Sequence, residues 1–121
     1  MKKILIIENY KEILRIFALI LQKNGYATEI AENTAEALEK IQATRYAAAI
    51  IDDESPIINS TIILQKLNMQ KTAKIVITDS PEKAIRDGAD AYMQKIVKPH
   101  ELLLITKEAL RKTDRGRQAV T

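Results

Sequence analysis

The sequence predicts a doubly wound α/β domain, five short parallel strands alternating with five helices that cover both faces of the sheet. Three observations lead there. Short apolar runs alternate with longer amphipathic stretches along the whole chain. The inner runs are apolar on both sides, as strands packed between two helix layers must be. The strand–helix unit recurs five times without an internal repeat, a low-complexity stretch or a domain break, which implies right-handed crossovers.

Each element has its own signal. Residues 3–7 form an apolar run that reads as a buried strand. Residues 10–24 read as a helix, with Ile13, Leu14, Phe17, Ile20 and Leu21 at helical spacing and Gly25 as the left-handed stop. Residues 28–31 are a short strand. Asn33 caps a second helix, and Glu36 three positions on completes a capping box. Ala37, Leu38 and Ile41 form its inner face. Residues 47–51 are small and apolar, a central strand. A loop with Pro56 leads to a third helix over 60–68 that buries Ile63, Leu64 and Leu67. Residues 74–78 are the fourth strand. Ser80 and Pro81 open a short fourth helix, as cap and first-turn proline, and Gly88 closes it. Residues 91–94 are a weaker fifth strand. Pro99 starts a last helix running to about residue 112.

Composition narrows the function classes. The 121 residues suit one domain, placed at 1–113, with a basic tail or linker stub over 114–121. Arg111, Lys112, Arg115 and Arg117 cluster toward the C-terminus, a solvated end of the chain or a contact for an acidic partner. Apolar residues make up 46 %, enough for a core, yet no run is long enough to span a bilayer. The four apolar residues after Lys3 are too few for a signal peptide, so the expected setting is cytoplasmic. The absence of cysteine excludes thiolate chemistry, and the single histidine, His100, argues against a zinc site. Net charge is only +3 and aromatic residues are 4 %, so neither a nucleic-acid surface nor a base-stacking platform is expected.

Chemistry collects at the strand ends. The first strand ends in Glu8-Asn9, the third in Asp52-Asp53, the fourth in Thr78-Asp79, and the fifth near Lys95. In a parallel sheet these ends share one edge, where open α/β sheets bind ligands. Any one of these residues could simply cap the following helix. Together they gather acids, a carboxamide, a hydroxyl and an ammonium into one pocket.

These residues carry a resemblance to the receiver domains of two-component response regulators, over about residues 3–112. Gly88-Ala89-Asp90-Ala91-Tyr92-Met93-Gln94-Lys95 is similar to the family's Gly-Ala-Asp-x-Tyr-x-x-Lys and continues without a gap to Pro99-His100-Glu101-Leu102. Ile50-Ile51-Asp52, with Pro56 four positions after the acid, resembles the phospho-acceptor strand. Ile4 to Glu8-Asn9 resembles the strand that ends in two acids. The resemblance implies a flavodoxin-like (βα)5 three-layer sandwich with strand order 2-1-3-4-5. It implies that Asp52 accepts a phosphoryl group from a histidine kinase or phosphotransfer protein. It further implies a magnesium ion held by Glu8, Asn9, Asp52 and the backbone carbonyl of Glu54. Lys95 and Thr78 would contact the phosphoryl oxygens, and Tyr92 would rotate as the switch aromatic. Such a domain is a signalling module rather than an enzyme. It would act on an unknown downstream protein, without direct nucleic-acid or membrane contact, with a homodimer left open.

Several departures from the family pattern bear on that reading. Asn9 stands where the family has a second acid, so a weaker magnesium site is expected. Ile96 replaces the proline after the lysine, so the cis peptide of the family is not expected here. Asp79 brings a carboxylate to the place of a small residue, and Glu54 adds another on the rim. Ser60 replaces a loop glycine, with little consequence expected. The short fourth helix should reshape the face made with the fifth strand and helix. Two alternatives stay open: a pseudo-receiver that signals without phosphate, and a small flavodoxin-like nucleotide- or flavin-binding protein. The second is disfavoured because the turn after the first strand lacks glycine.

Overall fold

The computed structural model describes residues 1–120, with side chains through residue 114. The chain runs β1 (Lys3–Ile7), α1 (Lys11–Lys23), β2 (Ala27–Ala31), α2 (Thr34–Ala43), β3 (Ala48–Asp52), α3 (Ser60–Leu67), β4 (Ala73–Ile77), α4 (Pro81–Arg86), β5 (Ala91–Met93) and α5 (Pro99–Val120). All strand pairs are parallel and the order is β2-β1-β3-β4-β5. This is the architecture that the alternating pattern predicts.

Alternation along the strands splits the core into two layers, because successive side chains point to opposite faces. Ile4 and Ile6, Ala48 and Ile50, and Ala73, Ile75 and Ile77 face α1 and α5, where Phe17, Leu21 and Leu102 complete the packing. Leu5, Ile7, Ala49, Ile51 and Val76 face the other way, onto Ala37 and Ile41 of α2 and Ile63, Leu64 and Leu67 of α3. Every residue of β3 and β4 is buried, so the central strands are anchored on both sides and their ends are held in place.

The helix termini follow local chemistry. Asn33 caps α2 by accepting the Glu36 N–H at 2.9 Å, and the Glu36 carboxylate accepts in return from the Asn33 amide at 3.0 Å. Asn59, one residue before α3, accepts from Ile62 N–H. Gly25 and Gly88 take positive φ of 91° and 110°, the left-handed stops after α1 and α4. Ser80 precedes α4 but makes no side-chain cap bond; its backbone N–H donates to the Thr78 hydroxyl at 2.9 Å. α5 continues to Val120, beyond the end near residue 112 that the pattern suggests. The side chains of Arg115 and Arg117 lie outside the described residues.

Candidate functional site

The register of the sheet brings the strand-end residues together. Ile7 pairs with Ile51, so the next residues, Glu8 and Asp52, emerge side by side. Both continue the alternation of Ile6 and Ile50 onto the α1/α5 layer. Lys95 lies two residues beyond Met93, which packs into that same layer. The result is an ion pair: Lys95 Nζ lies 3.0 Å from Asp52 Oδ2. The Asp52 side chain is 0 % exposed and that of Lys95 29 %. The Glu54 backbone N–H donates to the other Asp52 oxygen at 3.0 Å. Residues 43 positions apart in sequence therefore meet, as the strand-end reading predicts.

Glu8 is the second buried acid, 1 % exposed. Its Oε2 accepts from the Asn9 and Tyr10 N–H groups at 2.8 and 3.3 Å. Its Oε1 is buried with no donor in reach. Burial, then the hydrogen bond to Asp52 and its charge, push the Glu8 carboxyl up to about 7, against the pull of Tyr10 N–H and Lys95. A proton on Glu8 gives that oxygen an acceptor in Asp52; an ionised Glu8 leaves it facing a second carboxylate. Burial is the largest single influence on Lys95 and pushes it down. The Asp52 hydrogen bond and the charges of Asp52, Glu8 and Glu54 together outweigh it and hold the ammonium above its ordinary value. A cleft of about 180 Å³ opens beside these groups, lined by Glu8, Ile13, Phe17, Ile77, Lys95 and Val97. Asp52 itself is covered, with the partly exposed Lys95 side chain paired to it.

The remaining predicted residues fall in different places. Asn9 is half-buried beside Glu8. Glu54 and Asp79 are exposed on the rim, and the interaction with the Asp79 side chain is the main cause of a raised Glu54 carboxyl. Tyr92 is 44 % exposed on β5. Thr78 does not point at Asp52. It extends β4 by one residue past Ile77, so it faces the α3 layer, and its hydroxyl donates to Asp53 Oδ2 at 2.9 Å. Ser60 proves consequential, contrary to expectation: it is buried and its hydroxyl donates to the other Asp53 oxygen. The Lys95–Ile96 peptide is cis, a correction to the trans expectation. A non-proline cis bond carries an intrinsic cost; here it joins Lys95, tied to Asp52, to the segment whose Val97 packs against the core. Ile96 itself is exposed.

Among the described residues no group of three or more histidine, aspartate or glutamate side chains could hold a metal. Two buried carboxylates with an orphaned oxygen between them nevertheless suit a hard cation, with neutral carbonyl oxygens completing the shell. Glu8 and Asp52 fit such an ion, and Asn9 and Glu54 lie close to them in the chain.

The comparison with known proteins now decides the family. The model of the response regulator receiver domain matches residues 4–107. The chain belongs to the response regulator receiver family. A receiver domain protein (CheY-like) from Methanospirillum hungatei JF-1 superposes with a TM-score of 0.88 at 32 % identity, covering 96 % of this chain and 98 % of that one. The response regulator TrrA from Thermotoga maritima, solved in complex with Mg(2+)-BeF, gives 0.76 at 28 % identity over 90 % and 99 %. The transcriptional regulatory protein SrrA of Staphylococcus aureus is 30 % identical over 117 residues, 92 % of this chain and 48 % of the relative. The chain thus spans about half the length of that curated relative. As a receiver, this domain serves phosphorelay signal transduction and is a signalling module rather than an enzyme of the usual kind. No helix among the described residues is long and apolar enough to cross a membrane.

Two residues of this receiver's site escape a reading by motif. Tyr10 places its ring 5.2 Å from Lys95 Nζ, a cation–π contact that helps to hold the ammonium. Asp53 is the hub for Thr78 and Ser60. Alternation could have found it: two consecutive acids at the end of a buried strand must serve opposite faces.

Proposed function

We propose that Asp52 is the phospho-acceptor of this receiver and that the phosphoryl group comes from a histidine kinase or phosphotransfer protein. The observation that carries this reading is the Lys95 ammonium held 3.0 Å from a buried carboxylate at the C-terminal edge of the sheet. In the transfer, an Asp52 oxygen forms a bond to phosphorus as the donor's phosphorus–nitrogen bond breaks. The leaving imidazole keeps the electron pair. Little covalent help is needed; positioning and charge neutralisation dominate. Lys95 leaves Asp52 and follows the new phosphoryl oxygens as a mobile point charge. Glu8 and Asp52, with Asn9 and the Glu54 carbonyl, would hold magnesium, which supplies positive charge against the crowding of acids and phosphate. The neutral Asn9 and the Glu54–Asp79 pair on the rim favour slower loading than a site with a full acidic pair. The Thermotoga relative solved with Mg(2+)-BeF, similar over 90 % of this chain, supports the same chemistry here.

Incubation with magnesium and acetyl phosphate, followed by mass spectrometry, tests the proposal. One added phosphoryl mass in the wild type and none in Asp52→Asn is the expected result. A wild type that stays unmodified and gives no spectral response to beryllofluoride with magnesium would favour the pseudo-receiver reading instead.

A further inference from the structure

Thr78 and Asp53 sit on the opposite side of the sheet from Asp52. Asp53 follows Asp52 and its N–H continues the ladder to Ile77 O at 2.9 Å, so its side chain turns toward α3. Thr78, 1 % exposed, follows Ile77 and turns the same way. A threonine hydroxyl has one proton to give. That proton goes to Asp53 Oδ2 at 2.9 Å, while the hydroxyl oxygen accepts from Ser80 N–H at 2.9 Å. The other Asp53 oxygen is engaged by the Ser60 hydroxyl. Thr78 therefore has no donor left for a phosphoryl group, and its acceptor is an anion, which makes the bond stronger than one between neutral groups. Asp53 and Ser60 form this arrangement together: Ser60 is buried at the start of α3, 5 % exposed, and helps to fix the carboxylate that holds Thr78.

We propose that Asp53 is a positioning residue that latches the Thr78 hydroxyl on the α3 side, in competition with a phosphoryl group on Asp52. Switching then requires exchange of one anionic acceptor for another, rather than capture of a free hydroxyl. Ser60 strengthens the latch, and the start of α3 is mechanically joined to the state of Thr78. This inference rests on the phospho-acceptor reading for its functional half, and the two are separable by experiment.

The test has two arms on the intact chain. Three-bond couplings to the Thr78 methyl carbon report its side-chain rotamer in solution, with no phosphoryl mimic present. The wild type should show one rotamer, Asp53→Ala an averaged set, and Asp53→Asn, whose carboxamide oxygen still accepts, an intermediate result. Unchanged couplings in a folded Asp53→Ala overturn the latch, and if that variant does not fold, unchanged couplings in Asp53→Asn do so. The second arm titrates beryllofluoride in the presence of magnesium. Asp53→Ala should reach half-saturation at a concentration about tenfold lower than the wild type, the worth of one hydrogen bond to a charged group, and Ser60→Gly should fall between. Equal midpoints overturn the competition. If neither protein responds and Asp52 takes no phosphoryl group, the acceptor reading fails, and the couplings alone then decide whether Asp53 holds Thr78.

Discussion

At Glu8 and Asp52 two buried carboxylates share one ammonium, and the titration of Glu8 links the site to stability. Its carboxyl sits at about 7 in the folded chain, against an ordinary value of 4.5. Between those values the folded form holds a proton that the unfolded form has released. Stability is therefore highest below about 4.5 with respect to this group, and it declines as pH rises through about 7. Glu8→Gln should remove that slope. In chelator-treated protein, the variant should gain on the order of 1–2 kcal/mol over wild type at pH 8 and little at pH 5, read from urea midpoints. Equal pH slopes for the two proteins would place the repulsion elsewhere. Lys95→Met works in the other direction, leaving Asp52 buried without its cation. A loss of roughly 1–3 kcal/mol is expected, below the full cost of an orphaned buried charge because Lys95 is 29 % exposed. A thermal shift within error of wild type would show the pair to be energetically idle. Motif matching made Lys95, Asp52 and Glu8 legible, since each ends a strand. It did not reveal the Asp53 hub, because a motif records residue types in line and not the face each one serves. It also assigned Ser60 no role, because a serine in place of a loop glycine gains its meaning from a hydroxyl that only the fold brings to Asp53.

The elements were read well where period and stop signal agreed. β1, α1 and α3 lie within a residue or two of their predicted bounds, because buried strands and one-sided helices leave an unambiguous apolar pattern. The end of α5 was not legible: past Thr113 the sequence turns polar and carries no apolar face to mark where helix stops. Ser80 stands at the cap position but makes no side-chain cap bond, an outcome its residue type alone does not reveal. The two left-handed glycines invite a comparison of elements. A Cβ on Gly25 meets open space, whereas one on Gly88 would overlap the Asn68 carboxamide at the end of α3. That carboxamide donates to Asp87 O at 3.0 Å and ties α3 to α4. Both alanine substitutions suffer the backbone penalty of positive φ, about 1 kcal/mol. Gly88→Ala should cost at least about 1 kcal/mol more through the lost tie. Differential scanning calorimetry ranks them, and a Gly25→Ala melt as low as that of Gly88→Ala contradicts the assignment.

Over the whole molecule, the order β2-β1-β3-β4-β5 sets β1 beside the middle strand β3, and those are the strands whose ends carry Glu8 and Asp52. The cleft beside them opens on the α1/α5 layer, while a second, open cavity of about 430 Å³ at Asp53 and Ser60 lies on the α3 layer. Adjacent acids thus serve opposite sides of the sheet, and the two cavities have no lining residue in common. A neighbouring aspartate is the nearest candidate to stand in when an acceptor acid is removed. Here the pleat forbids that rescue, because Asp53 looks into the wrong room. Asp52→Asn should therefore abolish loading outright, with no minor species carried on the adjacent residue when the phosphorylated peptide is mapped.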